Sequence, residues 1–189
     1  TVSAGSYTYV VTDANGCSAT TTITRTQPSL LVASSNAGNI LCNGGSTTVS
    51  VSATGGTGAY TGTGVYTVSA GSYTYVVTDA NGCSATTTIT LTQPTSLVAS
   101  LTSGTILCHG GTTTVSVTAT GGSGSYSGTE TFTVSAGTYT YMVNDANECA
   151  ANVTVTITQP SLLLASSSAG NILCNGASTT VSVTATGGT

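Results

Sequence analysis

A period of 66 residues runs through the chain without insertion or deletion. The motif TDANGC ends at Cys17 and again at Cys83, and returns as NDANEC at Cys149. A second cysteine, in ILCNG or ILCHG, recurs at the same spacing at Cys42, Cys108 and Cys174. A unit of this length is too long for one rung of a solenoid, so the register predicts a tandem array of small domains. Cutting after each TQP gives two complete repeats, 29–94 and 95–160. They are flanked by the C-terminal half of a repeat (1–28) and an N-terminal half (161–189). Since the chain starts in mid-repeat, at TVSAGSYTY, the expectation is a window of something longer.

Within 29–94 the pattern reads as six or seven short strands. The first covers about Leu30–Ser34 and continues through Ile40–Cys42, and NGGS turns it. TTVSVSAT follows, with Val49, Val51 and Ala53 on one face and hydroxyl residues on the other, the alternation of a sheet with one dry side. GGTG at 55–58 breaks the chain, and short strands are expected around Tyr60 and over Tyr66–Ala70. SYTYVVTD then enters a hairpin at Asp79–Gly82, since Asn-Gly accepts the positive φ of such turns. The last strand points Ala85, Thr87, Ile89 and Leu91 inward. One period later these are Ala151, Val153, Val155 and Ile157, so the face stays apolar. Arg25 stands at the Leu91 and Ile157 position, which suggests a strand end from which a long side chain escapes. The fold expected is all-β, a tandem array of immunoglobulin-like antiparallel β-sandwich modules. A 66-residue module is marginal on core burial alone.

Composition narrows the function. Charged residues are 3 % of the chain, with one basic side chain and five acids, against about 25 % in ordinary soluble domains. Nucleic acid is excluded as a partner, because phosphate neutralisation needs clustered Lys or Arg. Attachment to anionic lipid fails for the same reason, and no apolar run approaches the roughly 18 residues of a membrane-spanning helix. Six cysteines at two positions per repeat, without CxxC, read as a disulfide framework: Cys17, Cys42, Cys83, Cys108, Cys149 and Cys174. Disulfides imply an oxidising, extracellular setting.

Three pairings fit. Cys42–Cys83 and Cys108–Cys149 would close each repeat on itself, each loop contributing roughly 4 kcal/mol of chain entropy. Cys83–Cys108 would join neighbours in sequence order. Cys42–Cys149 would tie the first cysteine of one repeat to the second cysteine of the next. In an immunoglobulin-like topology the two cysteines of one repeat lie at opposite poles, which disfavours the first pairing because bonded cysteines need Cα atoms within about 7 Å. Both the within-repeat and the cross-repeat bond stay open on sequence alone.

No catalytic, cofactor or metal site is expected. His109, the single histidine, stands where Asn43 and Asn175 stand, and reads as a turn residue. Asp79–Asn81 offers one recurring carboxylate, too few for a hard cation, so the aspartate is expected to stabilise its own turn. Lys–Asn isopeptide bonds are impossible without Lys. Asn152-Val-Thr154 is a formal glycosylation sequon found in one repeat only. Glu130 and Glu148 read as surface variation.

The succession CNGG, ATGGTGAY, AGSYTYVVTDANGC and TTTITLTQP resembles the SprB-type repeat of the large mobile gliding adhesins of flavobacteria, over the whole of each repeat. Many such repeats are expected to carry a Trp after GGTGxY, where this chain has TGT or SGT. The resemblance implies a very long cell-surface adhesin, exported by the Bacteroidetes type IX system and moved by the gliding machinery. The export signal and adhesive tip would then lie outside these residues. The expectation is a filamentous stalk, each module adding about 35–40 Å, roughly ten residues at strand rise. Its partners would be neighbouring repeats, other copies in a filament, and surface polysaccharide or substratum reached through other regions. The alternatives are a glycan- or ice-binding array using the Thr rows, and a self-bundling extracellular fibre, which low charge permits.

Overall fold

A computed structural model describes residues 1–189. It is all-β, with fourteen strands arranged in small antiparallel sheets and no helix. The residues divide into two compact units. One comprises Thr1–Ile40 with Ser46–Thr92, the other Leu41–Gly45 with Gln93–Thr189.

In the first unit, β1 (Gly5–Thr12) and β2 (Ser18–Arg25) form a two-stranded hairpin. β3 (Val32–Ala37), β4 (Thr47–Thr54) and β5 (Gly64–Val68) form a three-stranded sheet with β4 central. β6 (Gly71–Thr78) and β7 (Ser84–Leu91) make a second hairpin, whose inner face packs on that sheet. Val49 and Val51 on β4 and Val77 on β6 are buried together, flanked by Ala53, Tyr66, Tyr75 and Ile89. The Tyr66 and Tyr75 rings meet across the layers with centroids 4.8 Å apart. Ser35 and Thr87 hydroxyls pair at 2.9 Å where β3 meets β7. The alternation that selects Val49, Val51, Ile89 and Leu91 for the inside therefore builds a five-stranded sandwich.

The second unit repeats this plan. β8 (Thr95–Ser103), β9 (Thr113–Gly122) and β10 (Thr131–Val134) form the three-stranded sheet, and β11 (Gly137–Asn144) pairs with β12 (Ala150–Ile157). Val115, Val117, Val143, Ile106 and Ile157 are its buried centre. Phe132 stacks on Tyr141 at 4.6 Å, so loss of the Tyr66 hydroxyl leaves the ring contact intact. β13 (Ser161–Ala169) and β14 (Val181–Gly188) pair as a last hairpin.

Three strand expectations are corrected. Each complete repeat has five strands rather than six or seven. The Tyr60 segment makes only a single bridge, Thr61 to Thr78, because Gly55, Gly56, Gly58 and Gly62 all take positive φ and keep the chain from extending. Ile40–Cys42 is not a strand either: Ile40 is buried, and the Gly45 amide closes a turn onto the Cys42 carbonyl at 3.0 Å. Arg25 is the last residue of β2, as its counterparts Leu91 and Ile157 are the last of β7 and β12; those two are half-buried and buried. Arg25 is exposed on β2, whose faces are open throughout.

Candidate functional site

The aspartate of the DANGC turn is the organising side chain. Asp79 Oδ1 accepts the amides of Asn81 and Cys83, both at 2.9 Å, which closes the loop between β6 and β7. Its Oδ2 accepts the Thr57 amide at 2.9 Å, clamping that loop to the glycine-rich segment after β4. Gly56 passes so close that a Cβ there would lie 2.7 Å from Asp79 Oδ2, at a φ of +63° that already favours glycine. Asp145 repeats the pattern, with Asn147 at 2.9 Å, Cys149 at 3.0 Å and Ser123 at 2.8 Å. The expected turn-stabilising role of the recurring aspartate is thus what the contacts display, and they extend it to a second loop. Burial opposes ionisation of Asp79, but the backbone donors Cys83, Thr57 and Asn81 outweigh it and hold the carboxyl below the usual aspartate range. Asp145 is lowered in the same way, burial being outweighed by Ser123, Cys149 and Asn147.

Within the second unit the 41–45 loop is tied down by three side chains. Asn43 Nδ2 donates to the Pro94 carbonyl at 2.9 Å, and the Gly44 amide donates to Gln93 Oε1 at 2.8 Å. Asn147 Nδ2 donates to the Leu41 carbonyl at 3.2 Å. These bonds bring Cys42 against the Asp145–Cys149 turn, and Cys42 and Cys149 form a disulfide with Cα atoms 5.7 Å apart. The bond spans 107 residues, joining the first cysteine of repeat 29–94 to the second cysteine of repeat 95–160. Of the pairings open to the sequence, the cross-repeat one forms, and the within-repeat and Cys83–Cys108 bonds do not. Cys17, Cys83, Cys108 and Cys174 carry exposed free thiols.

His109 sits where its turn role predicts. Its Nδ1–H donates to the Pro160 carbonyl at 3.1 Å, replacing the Asn43 amide, and the Gly110 amide donates to Gln159 Oε1 at 2.8 Å. Glu148 is more than surface variation. It takes a φ of +64°, where the other repeats place Gly16 and Gly82. Glu130 is exposed, and its carbonyl accepts the Val117 amide at 2.9 Å. Asn152 is exposed on β12 opposite Met142. No group of three or more His, Cys, Asp or Glu side chains converges on a point.

Sequence reasoning overlooked the glutamine of TQP and the asparagine of the DANGC turn as anchors. Both recur on the 66-residue period, a signal that marked them as structural without revealing what they hold. No protein-family model matches this chain, and no curated protein matches its sequence.

Proposed function

We propose that the chain is a load-bearing stalk segment of a long extracellular surface adhesin, built from immunoglobulin-like beads of the SprB type. The observation that carries this reading is the Cys42–Cys149 bond, which makes the connection between successive repeats covalent twice over. A bond inside each repeat would protect that repeat alone; a bond across repeats resists their separation under tension. The disulfide is compatible with an oxidising, extracellular location. The outer surface of Ser and Thr, with a single cation in the chain, suits a spacer that must not bind indiscriminately.

Pulling single molecules by their ends tests this. In oxidising buffer the stretch between Cys42 and Cys149 stays closed, and reductant releases a further contour length of about 350–390 Å, at 3.3–3.6 Å per residue. Identical extension with and without reductant would refute the reading.

A second reading rests on the rows of hydroxyls on the outer faces. Thr74 and Thr88 pair at 3.0 Å, Ser72 and Thr90 at 3.2 Å, and Thr140 and Thr154 at 2.9 Å. Such rows offer a flat polar surface to a glycan or to ice. The hydroxyls already satisfy one another across the strands, so the stalk is preferred; specific capture of the chain on a glycan array would reverse that preference.

A further inference from the structure

Four Asn-Gly steps occur in the chain, at Asn15, Asn43, Asn81 and Asn175. At such a step a polypeptide can modify itself. The glycine amide nitrogen attacks the asparagine Cγ, since no Cβ shields it and the permissive backbone reaches the geometry required. At Asn15 and Asn81 the following glycine amide is held inside its own turn, by the Asp13 and Asp79 carbonyls. At Asn43 the restraint comes from far along the chain. The Gly44 amide, the nucleophile, donates to Gln93 Oε1 at 2.8 Å, and the Asn43 carboxamide, the electrophile, donates to the Pro94 carbonyl at 2.9 Å. The Gly45 amide closes the same turn onto the Cys42 carbonyl at 3.0 Å, and Cys42 is bonded to Cys149. Asn43 and Gly44 are exposed to water, yet attack needs the 41–45 loop to open first.

Two other residues single out Asn43. In repeat 95–160 the same place is taken by His109, which makes the equivalent bond to the Pro160 carbonyl at 3.1 Å and has no carboxamide to lose. Asn147, whose Nδ2 grips the Leu41 carbonyl at 3.2 Å, is followed by Glu148 at φ +64°, where Asn15 and Asn81 are followed by glycine. The Cβ and carboxylate of Glu148 obstruct attack there. Of the two asparagines that hold the loop, Asn43 is the reactive one.

We propose that Asn43 is a deamidation site gated by the Cys42–Cys149 disulfide. An external thiol reductant supplies two electrons and two protons to the bond and is itself oxidised to a disulfide. With the loop free, the Gly44 nitrogen gives its proton to solvent and bonds to Asn43 Cγ. The Cγ–Nδ2 bond breaks, Nδ2 takes a proton from water and leaves as ammonia, and a succinimide remains. Water opens the ring at either carbonyl, giving aspartate or isoaspartate; one water is consumed for each ammonia released, without a redox change. A carboxylate only accepts hydrogen bonds, so it would face the Pro94 carbonyl with no donor between them. Isoaspartate also adds a carbon to the backbone of the turn. The loop then no longer presents Cys42 to Cys149, and oxidation can restore the disulfide only while the Asn43 amide survives. This holds whether or not the chain bears load.

The test uses the whole chain. The four exposed free thiols are alkylated in the oxidised protein, half the sample is reduced, and both halves are incubated at mildly alkaline pH in ¹⁸O-labelled water. Peptide mapping follows ¹⁸O uptake at each asparagine. Asn43 is expected to deamidate at least about tenfold faster in the reduced half, a factor equivalent to about 1.4 kcal/mol of lost restraint. Equal rates in the two halves overturn the proposal, as does faster loss at Asn147 than at Asn43 after reduction. Gln93→Ala frees the Gly44 amide and is expected to raise the rate in the oxidised protein about fivefold, equivalent to about 1 kcal/mol for one hydrogen bond. An unchanged rate overturns the proposal. Reoxidation reads the consequence, with thermal melts taken beforehand to show that each variant is folded. Recovery of the Cys42–Cys149 peptide is expected to fall in step with loss of the Asn43 amide, to start low in Asn43→Asp, and to hold steady in Asn43→His, which copies His109. Full recovery by Asn43→Asp, or the same decline in Asn43→His, overturns the proposal.

Discussion

Single residues in this protein act mainly through the backbone they hold. Asp79 and Asp145 each gather three amides, and their carboxyls are depressed below the ordinary aspartate range. A group with a lowered folded-state pKa contributes stability that is fully present above its unfolded value, about 3.9. That contribution is lost as pH falls through the folded pKa. Thermal melts are therefore expected to be flat from neutral pH to about 5 and to fall below about 4. Asp145→Asn should lower the neutral-pH melting temperature and flatten the acid limb; an unchanged acid limb when Asp79→Asn and Asp145→Asn are combined would contradict this account. Glu148 presents the opposite case. Holding a side chain at φ +64° costs roughly 1–2 kcal/mol that glycine avoids, so Glu148→Gly is expected to stabilise the second unit by about 1 kcal/mol in chemical denaturation. Nothing in the local sequence marks Glu148 as strained; only its alignment with Gly16 and Gly82 on the period does.

The strands show what a pattern can and cannot reveal. Alternation picks out Val49, Val51, Ile89 and Leu91 because the period-two geometry of a strand puts them on one face whatever the neighbouring loops do. The Tyr60 and Ile40–Cys42 segments are apolar enough to resemble strands, yet the first fails for a local reason and the second for a tertiary one. Closely spaced positive-φ glycines bend one, and bonds from Gln93 and Asn43 fold the other into a turn. Such contacts join residues about fifty positions apart and leave no local trace. Burial separates identical side chains in the same way. Val49→Ala, in a closed sandwich, is expected to cost about 2 kcal/mol, whereas Val181→Ala, at an exposed position of β14, should change the unfolding free energy of residues 1–189 by under about 0.5 kcal/mol. Equal losses would mean that β14 is covered in the isolated chain.

Across the whole chain, stability comes with almost no charge. With Arg25 the one basic side chain among 189 residues, ion pairs are nearly impossible to build, and salt has little to screen. The melting temperature is expected to hold within a few degrees between low and roughly 1 M sodium chloride, apart from the general salting effect on apolar burial. A steep drop with salt would reveal an electrostatic contribution that the composition leaves no room for. The repeat and the all-β class were legible because they depend on spacing. The choice among the pairings was not, since it depends on where the Cys42 loop is held, and that is decided by the side chains of Asn43, Gln93 and Asn147 acting together.

The 107-residue reach of the Cys42–Cys149 bond has a consequence for damage. A protease that severs any one peptide link between those two cysteines leaves the flanking pieces tethered to each other through sulfur. The nicked molecule stays in one piece until a reducing agent arrives, so survival in a hydrolytic environment depends on redox conditions as much as on the integrity of the backbone.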